Sequence, residues 1–476
     1  MVDMLFIVPP FSYKGLEDAS SRCPNLGMAI LAAILEKKGY AVKILDAFSL
    51  SLNNQQIIEY VKKVNPKIIG ISSVTANFGQ AMDILEAIKA TDQQIITIYG
   101  GPHVTIMPDS VLKSKNVDYI VLGEAEKTIV EFIGHLLHKK GDLENIKGIG
   151  YKDNEGKIKL TSGRDFIKDI DDIPMPAYHL LPMDSYRAYG WLDLGRKFCS
   201  MITSRGCPFQ CTYCTSSKIF GYRWRYRSVE NVFKEIMLLY NKYGIRHIYF
   251  QDDEFTVNHQ RVLDICNKII ENKLDLVWEC LTRVSHVDEE LLKKMGEAGC
   301  KSILYGIECG YQEGIDKINK KITLEQAIDA VRLSKKYGIS PKVTFMMGFP
   351  WEGKEEIKKT ISFAKKLNGD LTFFNVLNPY PGTPLYDQIK KDNLFVGGYS
   401  WDRYSPHGET PVIRTKHLTE NELAYWNGRA YLAVYSSPRF ILRKLKMLTN
   451  IRELRRNFKS AISLFSTYLK RTVTKK

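Results

Sequence analysis

No run of eighteen apolar residues occurs in the 476-residue chain, so the sequence offers no membrane-spanning helix. The first eleven residues hold a short apolar run closed by Pro9 and Pro10, with no basic leader and no small-residue cleavage site. They read as a first strand rather than a signal peptide. Cysteine is sparse and scattered: nine thiols stand at 23, 199, 207, 211, 214, 266, 280, 300 and 309, and only one trio is clustered. An odd, dispersed set excludes a secreted disulfide framework and points to a reducing compartment. Histidines such as His247, His259 and His286 show no metal-ligand spacing. There is no solenoid-type repeat and no low-complexity segment. Acid is almost missing from the C-terminus, where residues 436–476 carry twelve Lys and Arg against Glu453 alone. Of the formal net charge of +15, only +4 is left to the rest of the chain. The basic character belongs to the tail, which suits an anionic membrane surface, an acidic partner or nucleic acid.

What is present is alternation. Apolar, β-rich runs at residues 4–8, 41–45, 68–72, 95–99 and 119–122 are separated by helical patterns. Such a series predicts an α/β domain, a doubly wound parallel sheet with helices on both faces. Ligands of these sheets sit at the carboxyl ends of the strands. The residues there are Pro9-Pro10, Ser72-Ser73-Val74-Thr75, Gly100-Gly101-Pro102-His103 and Gly123-Glu124-Ala125-Glu126. Ser72, Thr75, Gly100, Gly101, Gly123 and Glu124 are the candidate binding residues: glycine admits close backbone approach and hydroxyls donate. Residues 148–193 read as a proline-bearing connector. A second series follows, with strand-like runs at 199–203, 247–251, 277–282, 303–307, 343–347 and 372–377. Six βα units predict a partial (β/α)6 TIM-like barrel with its site at the carboxyl ends of the strands. Beyond it, apolar residues from Phe440 to Leu454 recur near helical spacing among Arg and Lys, as in a basic amphipathic helix.

Just after the first barrel run comes Arg205-Gly206-Cys207-Pro208-Phe209-Gln210-Cys211-Thr212-Tyr213-Cys214. Cys207, Cys211 and Cys214 are spaced C-x3-C-x2-C on one loop. Thiolates are the usual ligands of iron–sulfur clusters, and three of them leave one iron of a [4Fe-4S] cubane open. A structural zinc site would want a fourth ligand nearby, and none follows.

Motif and barrel together resemble the radical S-adenosylmethionine superfamily, and the N-terminal sheet resembles its cobalamin-binding branch, over about residues 4–390. The resemblance implies an open iron chelated by S-adenosylmethionine, cleavage of the sulfonium, and a 5′-deoxyadenosyl radical that takes hydrogen from an inert carbon. It also implies three cofactors: the [4Fe-4S] cluster, S-adenosylmethionine and cobalamin. Tyr213 inside the motif joins the cofactor-binding residues. Asp252 and Asp253 end the second barrel strand and are candidates for the amino group of S-adenosylmethionine. Arg283 ends the third and suits its carboxylate; Glu308 ends the fourth, at a family position near the cofactor. The competing role of each strand-end acid is a helix cap or an ion pair. The D-x-H-x-x-G cobalamin pattern is absent: His138-Lys139-Lys140-Gly141 has Leu136 in place of the acid, and His103 also lacks it. No histidine is therefore expected as the lower cobalt ligand.

The expected organisation is a cobalamin-binding Rossmann-like domain at 1–145, a connector at 146–195, a radical barrel at 196–390 and a helical, basic region at 391–476. The expected function is cobalamin-dependent C-methylation, with a cyclase resembling anaerobic magnesium-protoporphyrin monomethyl ester cyclase as the alternative. Expected partners are a small-molecule or lipid-like substrate and an external electron donor such as flavodoxin or ferredoxin. The location is read as cytoplasmic, with peripheral membrane contact through the basic tail. Nucleic-acid modification ranks low, because the methylthiolating relatives carry three further N-terminal cysteines and this chain has only Cys23 there.

Overall fold

The computed structural model describes residues 2–11, 21–188, 194–397, 401–404 and 411–446. The chain divides into two compact units, each taken by itself. The first comprises Met1–Ser12, Arg22–Arg187 and Lys218–Arg227; the second comprises Tyr13–Ser21, Ala188–Ser217 and Ser228–Lys476.

The first unit is built on a seven-stranded sheet: β1 (Val2–Val8), β2 (Val42–Asp46), β3 (Pro66–Ser72), β4 (Ile96–Gly100), β5 (Tyr119–Val121), β6 (Ile149–Lys152) and β7 (Ile158–Leu160). The order is β2-β1-β3-β4-β5-β6-β7, and the first five strands are parallel. Met4-Leu5-Phe6-Ile7 of β1 is wholly buried, as a strand covered on both faces requires. Helix starts are set locally. Asn25 accepts from the Met28 N–H at the head of Leu26–Lys37, and Asn53 with Gln56 forms a capping box on Asn54–Val64. Strand order reverses between β1 and β3, which makes the crevice at their carboxyl ends the natural ligand site of this sheet.

β6 and β7 arise inside the segment read from the sequence as connector. β6 pairs antiparallel with β5, and β7 pairs antiparallel with β6. Asp153 makes the hairpin by accepting from the Glu155 and Lys157 N–H groups, with Gly156 at φ +77°. Strands this short, at an edge, carry too little alternation to be read as strands.

The second unit holds six parallel strands in chain order: β8 (Phe198–Met201), β9 (His247–Phe250), β10 (Val277–Thr282), β11 (Cys300–Glu308), β12 (Ser340–Met347) and β13 (Leu371–Val376). The sheet does not close, so β8 and β13 are edges. Phe345 and Phe374 stack on each other, and Phe345 meets Phe363 of helix Lys354–Leu367, on the helix-covered face. Lys342 lies on the opposite face and reaches across β11 to Glu279 Oε2 at 3.0 Å, while His247 stands 3.4 Å from Glu279 Oε1. This buried trio forms a floor near the amino ends of the strands.

The free edge of β13 is sealed by helix Glu420–Tyr435. The Tyr431 hydroxyl accepts from Phe374 N–H, the Tyr435 hydroxyl accepts from Thr372 N–H and donates to its carbonyl, and Asn427 donates to the Phe374 carbonyl. Tyrosines thus satisfy edge groups that would otherwise recruit another strand. Part of the region read as basic tail is therefore a packed helix. Helix Pro438–Lys446 follows it, and the rest of the amphipathic helix expected from Phe440 to Leu454 lies outside the described residues, as do all residues from 447 to 476. Among the described residues no helix is long and apolar enough to cross a membrane.

Candidate active site

β8 ends where the cysteine loop begins, and Asp252, just beyond β9, frames the join. Its carboxylate accepts from the Thr203 N–H at 2.6 Å and from the hydroxyls of Thr203 and Ser204. Arg261 donates to the Thr203 carbonyl at 3.0 Å. Asp252 is 1% exposed, and both of its oxygens accept from the chain at the loop's entry. Burial raises its pKa in spite of these donors.

The loop itself is pinned from several sides. Gly206 turns the chain at φ +82°, and Cys214 N–H donates to the Cys211 carbonyl. Thr212 N–H donates to the Ile318 carbonyl, Leu385 N–H to the Thr212 carbonyl, and Asn319 to the Gln210 carbonyl. The three thiols are free of disulfides. Burial pushes Cys207 up to about 12, with Glu254, Cys214 and Asp253 adding to the effect. Burial likewise pushes Cys214 up to about 11, with Asp253 and Cys211 adding. Cys207 feels Cys214, and Cys214 feels Cys211, so the sulfurs face a shared space that favours positive charge. Among the described residues no three His, Cys, Asp or Glu side chains gather as they would round a single metal ion. A cubane takes one thiolate per iron, from more widely spaced donors, and three thiolates on a pinned loop fit that demand.

Two basic residues approach the loop. Arg283 stands with Nη1 3.6 Å from Cys211 Sγ. Lys320 is the residue the sequence reading missed. Its Nζ donates to Glu308 Oε1 at 2.7 Å and to the Tyr213 hydroxyl at 3.1 Å, and Tyr213 donates to the same Glu308 oxygen at 3.1 Å. Burial, then the Glu308 charge, raises the Tyr213 pKa and keeps the phenol protonated. Glu308 sits at φ +74°, where the β11–β12 register shifts between Gly306 and Glu308. A bulge that re-aims a side chain is a common device beside active sites. Gly306 makes the room, because a Cβ there would lie 2.5 Å from Glu308 Oε1 and 2.8 Å from Lys320 Nζ. Asp253 is exposed and binds the Ser216 hydroxyl through Oδ2. Cys207, Cys211, Cys214, Tyr213, Arg283, Glu308 and Asp253 thus converge. Lys320 gave no signal, since it follows a helix end with no motif of its own.

In the first unit the expected loops do meet at the strand ends. Gly101 has φ +99°, and a Cβ there would stand 2.3 Å from Ser72 Oγ and 3.0 Å from the Ser73 carbonyl. Only glycine lets the loops after β3 and β4 approach this closely. Ser73 and Tyr99 share a short hydroxyl hydrogen bond, and Thr75 Oγ1 lies 3.1 Å from His103 Nδ1. His103 packs on Phe78, and burial lowers it to about 4, so it is a neutral ring at ordinary pH. A Cβ on Gly100 would meet the Ile71 and Val121 carbonyls at 4.0 Å, an ordinary contact, and Gly123 turns at φ +67° in open space. Glu124 is engaged by the chain around it. Arg225 clamps both its oxygens at 2.8 and 2.9 Å, Ile167 N–H donates at 2.8 Å, and its side chain is 5% exposed. The Arg225 ion pair and the Ile167 N–H thus hold this carboxylate at the strand end.

Gly101→Ala is expected to add about 1–2 kcal/mol of backbone strain. If these strand ends hold cobalamin, as the sequence resemblance implies, it should weaken cobalamin retention about tenfold. Cobalamin absorbance bound after desalting measures this.

Comparison with known proteins bears on these two sites. Residues 201–364 match the Radical SAM superfamily, and residues 15–133 match the B12 binding domain. The chain is 36% identical over 446 residues to an uncharacterised methyltransferase of Pyrococcus horikoshii, across 94% of this chain and 95% of that one. It is 28% identical over 426 residues to the anaerobic magnesium-protoporphyrin IX monomethyl ester cyclase of Rubrivivax gelatinosus, across 88% and 75%. Its fold resembles that of the cobalamin-dependent S-adenosylmethionine radical enzyme OxsB, solved with aqua-cobalamin and S-adenosylmethionine bound. The TM-score is 0.75 at 19% identity, over 98% of this chain and 72% of that one.

Proposed function

This chain belongs to the cobalamin-binding branch of the radical S-adenosylmethionine superfamily, and we propose that it methylates an unactivated carbon of a hydrophobic small molecule. The family's cofactors are a [4Fe-4S] cluster, S-adenosylmethionine and cobalamin. One observation carries the reading: three thiols on a pinned loop stand beside the buried Tyr213–Glu308–Lys320 group. Cys207, Cys211 and Cys214 would each hold one iron and leave the fourth open. When bound, the cluster supplies the electron that splits the sulfonium, and cobalamin supplies the methyl group.

The remaining work falls to this chain's own groups. Asp253 keeps Oδ1 outside its bond to Ser216 and suits the ammonium of S-adenosylmethionine. Arg283 has Nε and Nη2 buried without a partner, and these suit the carboxylate. Tyr213, Glu308 and Lys320 form a polar wall that orients the cofactor. Ser72, Thr75, Gly100, Gly101 and Gly123 line the strand ends where cobalamin would lie. In this reading residues 1–145 serve cobalamin, residues 146–195 connect, and residues 196–390 serve the cluster. An external donor of the flavodoxin or ferredoxin class supplies the electron.

Placement of the basic charge at 436–476 favours a lipid-like, isoprenoid or porphyrin substrate met at an anionic surface. The likeness to the Rubrivivax cyclase keeps oxidative cyclisation as the second reading. The test is an anaerobic assay of the reconstituted enzyme that quantifies 5′-deoxyadenosine and S-adenosylhomocysteine together. Methylation is expected to yield both. Deoxyadenosine without S-adenosylhomocysteine would favour cyclisation. Unchanged liposome binding after deletion of 436–476 would end the membrane proposal.

A further inference from the structure

We infer that Arg283 sets the reduction potential of the cluster, acting through Cys211 Sγ. This rests on the reading that the three loop thiols hold that cluster.

The geometry is built, not incidental. Arg283 follows β10 and is 6% exposed. Its N–H donates to Glu254 Oε1 at 3.2 Å, and the same carboxylate takes the hydroxyls of Thr256 and Thr282. The arginine therefore leaves the strand in a fixed direction. Its guanidinium carbon lies 3.8 Å from the ring centroid of Phe209, a cation–π seat supplied by the cysteine loop itself. Phe209 in turn packs on His286 at 5.0 Å. From that seat Nη1 points at Cys211 Sγ, 3.6 Å away.

Among the described residues the guanidinium has no acid across from it. Glu254 engages the main chain of Arg283, and Nε and Nη2 are buried with no protein partner. A buried cation without a counter-charge is costly. The group that the structure places against it is the Cys211 sulfur, which would be a thiolate when it holds the cluster. Hydrogen bonds and charge at ligating sulfurs tune iron–sulfur potentials. One-electron reduction adds negative charge to the cluster, and a fixed cation with an N–H···S bond favours the reduced form. Arg283 thus raises the potential and eases electron uptake from the external donor. No bond forms or breaks in this step. Arg283 is a positioning residue with a permanent charge, so the effect does not depend on pH.

The experiment compares wild type, Arg283→Gln and Arg283→Lys, each reconstituted anaerobically and assayed for iron and sulfide. Each is then titrated with titanium(III) citrate without S-adenosylmethionine, while the reduced cluster is followed by electron paramagnetic resonance. At a fixed ambient potential, Arg283→Gln is expected to show an about tenfold lower ratio of reduced to oxidised cluster, about 59 mV for one electron. Arg283→Lys should fall between, since it keeps the charge and loses the fork. Should the glutamine variant fail to assemble its cluster, the lysine variant and Phe209→Leu carry the test. Phe209→Leu keeps the charge but removes its seat, so a smaller shift in the same direction is expected. Equal ratios in every assembled variant would overturn the inference. So would a shift seen only with S-adenosylmethionine present, because the arginine would then serve the carboxylate alone. A wild type that assembles no cluster would sink the cluster reading instead.

Discussion

Cys211→Ala, purified without oxygen and reconstituted with iron and sulfide, is expected to lose 5′-deoxyadenosine formation by at least roughly a thousandfold, the scale of removing an essential group. The reason is ligand count. Three thiolates are what the loop offers, no other cysteine stands in its motif, and among the described residues no further His, Cys, Asp or Glu group is gathered as a spare site. Two thiolates cannot hold a cubane with one open iron. The protein itself should remain folded. Cys211 is only partly buried, and the loop's backbone bonds to Ile318, Leu385 and Asn319 do not involve its side chain. The measurements are deoxyadenosine yield, iron content and a thermal melt. Lost activity with full iron content would remove Cys211 from the ligand set. A collapsed melt would make the residue structural.

The second large effect is expected at Lys320. Lys320→Met leaves Glu308 buried without its counter-charge, held by the Tyr213 hydroxyl alone among the described partners, with both side chains at or below 10% exposure in the native pair. Breaking a buried pair from one side costs roughly 3–5 kcal/mol. Pairing Lys320→Met with Glu308→Met removes both charges, and much of that stability should return, because an apolar replacement of a whole buried pair is often neutral. Cofactor binding should not return with it. Denaturant melts of the single and double variants, with S-adenosylmethionine affinity measured by calorimetry, separate the two roles. Recovery of affinity in the double variant would mean that the pair serves stability alone. Gly306→Ala tests the same pair sterically, since its Cβ would occupy the space where Glu308 and Lys320 meet. It should weaken affinity without removing either charge.

The sequence was most legible where the signal is local. The parallel strands read as apolar runs because both faces of their sheets are covered. Helices such as Asn54–Val64 and Leu324–Lys336 start where their capping boxes stand. The cysteine trio is legible for the same reason: ligand type, spacing and loop all lie within eight residues of chain. Short edge strands such as Ile158–Leu160 were not legible, because three residues hold too little pattern. Nor was the helix Glu420–Tyr435 legible as an edge cap, since its tyrosines seek backbone groups more than fifty residues upstream.

Taken alone, the sequence determined two successive α/β series, their order, the cysteine loop and the concentration of positive charge at the C-terminus. These follow from periodicity and composition, which neighbouring residues establish among themselves. Tertiary structure decided what each carboxylate does. Asp252 is claimed by Thr203 and Ser204, Glu124 by Arg225, and Glu308 by Lys320 and Tyr213. Those partners lie 49, 48, 101, 12 and 95 residues away in sequence. An acid at a strand end has the same local pattern whether it caps, pairs or binds a ligand. Its role is set by which donor the fold brings within hydrogen-bonding distance, and that distance is a property of packing, not of spacing along the chain.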